Sequence, residues 1–183
     1  QRRVTWVGAG DMEKAWHEGV RFVEGVVRVP VAEPMDVVVT SGAGYPLDTT
    51  WYQAIKGLTG ALPIVKQGGT IVLVASLTDG IGSPEFEHLI ADNPDLTAFI
   101  QRILGKDYFI MDQWQLEEFV KVFKRCKIKV VTQGLSPATL KDCHVESASS
   151  VEQAVADCLK EYGPNARIAV IPKGPYVLPY VGV

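Results

Sequence analysis

Tyr52, Gln53 and Lys56 are the residues of this 183-residue sequence best suited to chemistry by type and spacing. On a helix, positions 52 and 56 lie one turn apart, and 53 and 56 are neighbours on the surface. A phenol, an amide and an ammonium gathered in this way make a receptor for a carboxylate or a hydroxyl. By periodicity alone the same stripe also reads as a solvated helix face with a stray tyrosine. Trp51, Ala54, Ile55, Leu58 and Leu62 follow the apolar helical period and are expected to face a sheet.

The loop ahead of that helix, Ser41-Gly42-Ala43-Gly44-Tyr45-Pro46-Leu47-Asp48, carries two glycines that permit positive φ or close approach of a ligand. It runs into a helix amino terminus, whose unpaired amides and dipole suit an anion. An Asp48 N-cap would occupy some of those donors, so a glycine-rich turn with an ordinary cap is an equal reading. A second loop, Ser76 to Gly82, follows a buried strand and suits the wall of the same crevice. Its Asp79 has either a catalytic role or, more commonly for an Asp-Gly pair, a place in a turn. Trp114, just inside a later helix, is either an aromatic pocket wall or core, and tryptophan is more often core. Gly8-Ala9-Gly10-Asp11 is only loosely a dinucleotide fingerprint, because no third glycine follows at the required spacing; a tight turn is the simpler reading.

Other chemistries find no support. His17, His88 and His144 are scattered without metal-ligand spacing and are expected at the surface. Cys126, Cys143 and Cys158 are odd in number and lack Cys-x-x-Cys spacing, which argues against a disulfide framework or zinc site and for a reducing, cytoplasmic setting. No serine sits in a nucleophile elbow. A net charge of -3 offers no basic face for nucleic acid. The one basic cluster, Lys121, Lys124, Arg125, Lys127 and Lys129, ends a helix, where cations complement the dipole. No apolar run approaches the roughly 20 residues that span a bilayer, so no membrane partner is expected.

The elements that must position these residues alternate β-branched runs with amphipathic ones, the pattern of a parallel sheet covered by helices. Strands are expected at Val4–Val7, Val27–Val31, Met35–Ser41, Thr70–Ala75, Ile128–Thr132 and Arg167–Ile171. Helices are expected from Asp11 to Val26, with Ala15, Gly19, Phe22, Val23 and Val26 facing inward, and from Asp48 to about Ala61. Ser83-Pro84 and Asn93-Pro94 read as helix starts, Asp112 and Gln115 as a capping box for a helix to about Arg125, and Ser150 with Gln153 as the start of the last helix. Lys66-Gln67-Gly68-Gly69 reads as a turn. The expected fold is α/β, a Rossmann-like three-layer arrangement with a mainly parallel sheet, in a single domain over residues 1–183. The polar Gln1-Arg2-Arg3 lead-in reads as the start of a piece cut from a longer chain.

The run from Ser41 to Asp48, followed by Trp51-Tyr52-Gln53-Ala54-Ile55-Lys56-Gly57, resembles the carboxy-terminal domain of the nickel-dependent lactate racemase family. The likeness continues through Val65–Ala75 and Asp79-Gly80-Ile81-Gly82, is most specific over residues 35 to 90, and extends in layout over the chain. It implies that Tyr52, Gln53 and Lys56 line a substrate site, with Trp114 matched by position. It also implies a nickel-pincer nucleotide held mainly by an amino-terminal domain, with a tethering lysine, a nickel-binding histidine and two acid–base histidines there. None of those amino-terminal motifs occurs in this sequence, so no cofactor and no catalytic residue is expected in this chain alone. The implied partners are a small 2-hydroxyacid and the amino-terminal domain. The implied reaction moves hydride from the substrate α-carbon to the cofactor and back to the opposite face. A competing reading, from a different class, is a stand-alone Rossmann-like module that binds a nucleotide or anion without catalysis.

Overall fold

Residues 3–105 and 107–182 are described by a computed structural model; the Gln1-Arg2 part of the lead-in lies outside them. The chain begins with α1 (Met12–Val27) and β1 (Arg28–Val31) and then enters the central strand β2 (Met35–Ser41). Helix α2 (Trp51–Ala61) leads to β3 (Val65–Val74). Three helices follow, α3 (Pro84–Ala91), α4 (Leu96–Ile103) and α5 (Gln113–Phe123), then β4 (Lys127–Val131), α6 (Pro137–Asp142) and the short β5 (Glu146–Ser147). Helix α7 (Val151–Tyr162), β6 (Ile168–Ile171) and β7 (Leu178–Val181) complete the chain.

Strands β5, β4, β3, β2 and β6 form, in that order, one all-parallel sheet. Its two faces are covered unequally. Val38, Ile71 and Leu73 pack with α2 to α6 in the main core, whereas Val37, Val39 and Val72 pack with Ala154 and Cys158 of α7. Burial on both faces explains why β2 and β3 are apolar without alternation. Helix α2 lies close against the sheet because Gly57 has no side chain: a Cβ there would come within 2.6 Å of the Ser41 carbonyl oxygen.

The α/β expectation therefore holds, and so do the strand at Met35–Ser41 and the Ser83 and Ser150 caps, whose hydroxyls accept from Phe86 and Gln153 amides. Several local expectations do not. Val4–Val7 forms no strand. Lys66–Gly69 lies within β3 as a bulge: between Met35 and Val37 the partner on β3 jumps from Val65 to Thr70, and Gly68 takes φ 76°. Asp95, not Asn93, caps α4; the Asn93 amide is buried and donates to the Leu89 carbonyl. His144 is half-buried in a turn, with Nε2 unpartnered and burial pushing its pKa down, whereas His17 and His88 are exposed as expected. Helix α1 buries none of its residues, so the inward face expected for Ala15, Gly19, Phe22, Val23 and Val26 meets no core.

Three of the five members of the basic cluster are ion-paired. Lys121 contacts Glu117 and Glu118, Lys127 contacts Glu161, and Lys129 contacts Glu146. Arg125 donates to the Val65 carbonyl. No described helix is long and apolar enough to cross a membrane.

Candidate functional site

The loops after β2 and β3 meet at the carboxyl end of the sheet, where open α/β folds place ligands. Asp48 ties them together. Its buried carboxylate accepts from the Ser76 amide at 3.0 Å and the Ser76 hydroxyl at 3.1 Å. Asp48 is therefore a loop clasp and not the cap expected of it. Thr50 caps α2 instead, accepting from the Gln53 amide at 3.3 Å, and the helix begins at Trp51.

The remaining amides of that first turn are also taken. Trp51 N–H donates to the Gly80 carbonyl at 3.0 Å, Tyr52 N–H to the Ile81 carbonyl at 2.8 Å, and Ala54 N–H to the Thr50 carbonyl at 3.0 Å. A helix start so occupied has no free backbone donors for an anion. The phosphate-cradle reading of this helix start therefore loses its structural basis. Asp79 is exposed and belongs to the turn that makes these contacts, its amide donating to the Thr49 carbonyl at 2.8 Å.

Side chains at the same helix start do gather. Tyr52 and Gln53 are half-buried and line a cleft of about 310 Å³ with Thr50, Gly82, Ser83 and Asp112. Lys56 is exposed beside it, its ammonium donating to Gln53 Oε1 at 2.6 Å, while its stem lines the neighbouring groove against Gly174 and Pro175. That bond leaves two ammonium donors and the Gln53 NH2 group pointing the same chemistry, donation, at an acceptor such as a carboxylate. Gly82 keeps the floor of the cleft open: at φ 151°, a Cβ there would sit 3.0 Å from Tyr52 Cβ.

Trp114 is 51% exposed, which removes the core reading, and stands edge-on to Tyr52 with ring centroids 6.1 Å apart. Phe86 holds the other side of Tyr52 at 5.0 Å. The buried Gln115 amide donates to the Tyr52 carbonyl at 2.7 Å, fastening α5 to the first turn of α2. Of the four residues singled out in the sequence, Tyr52 and Gln53 line the cleft itself, Trp114 stands against the Tyr52 ring, and Lys56 lines the neighbouring groove and is tied to Gln53 by its hydrogen bond.

Sequence reading missed Asp112. Its type and spacing suggest a helix cap, yet its side chain caps nothing. The residue adopts the left-handed conformation, φ 65°, and its carboxylate accepts from the Tyr52 hydroxyl at 3.1 Å. Such a conformation is uncommon for a residue other than glycine and marks a position over-determined by its surroundings. No sequence signal carries it, because the contact spans sixty positions. Burial first, and the Asp112 carboxylate second, push the Tyr52 phenol above its usual value. The phenol is then a neutral donor to Asp112 whose oxygen can still accept from a ligand hydroxyl.

Asp112→Asn keeps an acceptor and removes the charge, so the Tyr52 phenol should ionise at lower pH in the variant. The measurement is ultraviolet tyrosinate titration, with Tyr52→Phe identifying the band; an unchanged curve would show that Asp112 does not act on the phenol. The linked stability has a definite sign. A raised folded-state value contributes stability that is whole below about pH 10, the ordinary tyrosine range, and fades as pH rises through the folded value. Asp112→Asn should narrow that alkaline window.

Residues 31–178 match the family described as lactate racemase C-terminal domain. Lactate racemase of Lactiplantibacillus plantarum is 34% identical over 168 residues, covering 91% of this chain and 39% of that protein. Lactate racemase of Thermoanaerobacterium thermosaccharolyticum is 32% identical over 172 residues, covering 93% of this chain and 40% of that protein. The solved apoprotein of the latter superposes with a TM-score of 0.83 at 31% identity, over 91% of this chain and 40% of that one. A Thermotoga maritima structure, 11% identical with a TM-score of 0.63 over 93% of this chain and 42% of its own, shares the fold. The chain spans about two-fifths of the length of the curated relatives it matches.

Proposed function

The chain belongs to the lactate racemase C-terminal domain family, and from that premise we propose that it is the substrate-lining part of a 2-hydroxyacid racemase working with a nickel-pincer nucleotide. The observation that carries the proposal is the pairing of Tyr52 and Gln53 in one cleft, with the Lys56 ammonium joined to Gln53 at 2.6 Å from the neighbouring groove.

These residues do not themselves fit a nickel centre. Among the described residues no group of three or more His, Cys, Asp or Glu is placed to hold a metal, and an ammonium has no lone pair to give one. In this proposal the cofactor and the proton-transferring groups belong to an amino-terminal region of a longer polypeptide, as the family resemblance implies. What this chain contributes is recognition and order. Lys56 and the Gln53 amide hold the substrate carboxylate, the Tyr52 oxygen accepts from the substrate hydroxyl, and Trp114 shields the mouth from water. A 2-hydroxyacid such as lactate carries both of the groups this receptor reads. The three cysteines are free and buried, in keeping with a reducing compartment, the cytoplasm in our reading.

The test uses the full native polypeptide, purified with its cofactor and given one enantiomer of lactate. Chiral chromatography should show the opposite enantiomer accumulating toward an equal mixture, and the 183-residue chain alone should form none. Turnover by the chain alone, or none by the loaded full-length protein with any 2-hydroxyacid, would remove the proposal.

A further inference from the structure

Helix α1, strand β1 and strand β7 do not behave as parts of the five-stranded domain. The helix has an apolar stripe at helical spacing, through Ala15, Trp16, Gly19, Val20, Val23 and Val27, yet no residue of it is buried. Trp16 is 62% exposed and Val23 50%. Together with Trp6 and Leu178 this face walls an apolar groove of about 650 Å³. Soluble surfaces rarely leave a contiguous apolar area of that kind uncovered.

The adjoining sheet is equally incomplete. Strand β1 pairs in parallel with β7, Arg28 opposite Leu178 through Val31 opposite Val181, and the two form a sheet of their own. Parallel strands occur almost only in sheets covered on both faces, and a two-stranded sheet alone is marginal. Here β1 is exposed at Arg28, Val29 and Pro30, and Leu178 is 55% exposed. Such elements are the edge of a larger layer whose remainder comes from elsewhere.

Two observations say from where. The family match begins at residue 31 and ends at 178, so α1, most of β1 and most of β7 fall outside the C-terminal domain. The relatives are also much longer, this chain covering 39% and 40% of them. We infer that α1, β1 and β7 form a docking unit covered by the amino-terminal region of the same polypeptide, which packs on the Trp16–Val23 face and extends the β1–β7 sheet. The inference rests on the reading of this chain as part of a longer racemase. It places the joint between the two parts at the α1 side of residue 31, and an intramolecular partner explains why the face can be so apolar.

Hydrogen exchange read by mass spectrometry tests it, on the full native polypeptide and on the 183-residue chain side by side. Amides of Met12–Val27 should exchange at least about tenfold more slowly in the full polypeptide, with β2 and β3 alike in both. In the full polypeptide, Trp16→Glu with Val23→Glu should restore fast exchange in α1 and leave β2 and β3 protected. Equal exchange of α1 in the two proteins would overturn the inference. So would a 183-residue chain that sediments as a dimer with α1 already protected, because a second copy would then be the occupant. A native polypeptide with no amino-terminal region would overturn it as well. Racemisation is measured separately: an inactive full polypeptide with a protected α1 removes the proposed function alone, and an active one with an unprotected α1 removes this inference alone.

Discussion

Lys56→Ala in the full-length enzyme should lower kcat/KM for a 2-hydroxyacid by about 10- to 100-fold, the equivalent of roughly 1.5–3 kcal/mol for a charge-assisted hydrogen bond. The ammonium is anchored to Gln53 Oε1 at 2.6 Å and is the one cation among the residues proposed to face the substrate. Holding the carboxylate is a binding task shared by ground and transition states, so most of the loss should appear in KM. Because the side chain is exposed, its removal should leave stability within about 0.5 kcal/mol. Gln53→Ala should produce a smaller loss of the same kind, since in the proposed receptor it donates to the substrate and its Oε1 orients the lysine. Steady-state kinetics with chemical denaturation of the same samples separates these effects. A Lys56→Ala enzyme with unchanged kcat/KM would leave the proposed receptor without its charge and end that assignment.

Trp51→Ala should destabilise the 183-residue domain by about 3–5 kcal/mol, the range for deleting a large buried aromatic. Trp51 is 1% exposed and meets Phe119 edge-on with centroids 5.6 Å apart, so it joins α2 to α5 across the core. Against a total stability of about 5–15 kcal/mol, that loss is a large fraction of the whole. Its consequence reaches the site, because α2 carries Tyr52, Gln53 and Lys56, and α5 carries Trp114 and Gln115. Urea unfolding should show a lower midpoint with the slope retained. A change below about 1 kcal/mol would mean that the two helices are held together by other contacts.

The contrast between those substitutions, one reading binding and the other packing, comes from neighbouring positions on one helix. Their difference was already visible in the sequence. The apolar spacing of Trp51, Ala54, Ile55 and Leu58 turns that face to the sheet, which leaves Tyr52, Gln53 and Lys56 on the adjacent stripe. The unbroken apolar runs of β2 and β3 likewise announced strands buried on both faces, and with them the α/β class. Periodicity reports such things because it is a local consequence of which side of an element meets water.

Other features depended on which segments the fold brings side by side. Thr50 rather than Asp48 caps α2 because Ser76, from the next loop, takes the Asp48 carboxylate. Asp112 faces Tyr52 and not its own helix because α5 packs beside α2, a neighbourhood no spacing encodes. The inward face expected of α1 was correctly drawn as apolar, yet the five-stranded domain does not cover it. The sequence by itself thus determined the α/β class, the two-face burial of the central strands and the stripe that bears the phenol, amide and ammonium. Only the tertiary structure decided how each polar group is partnered, because a hydrogen bond depends on distances of about 3 Å between atoms far apart in the chain, whereas apolar periodicity needs only a side to face.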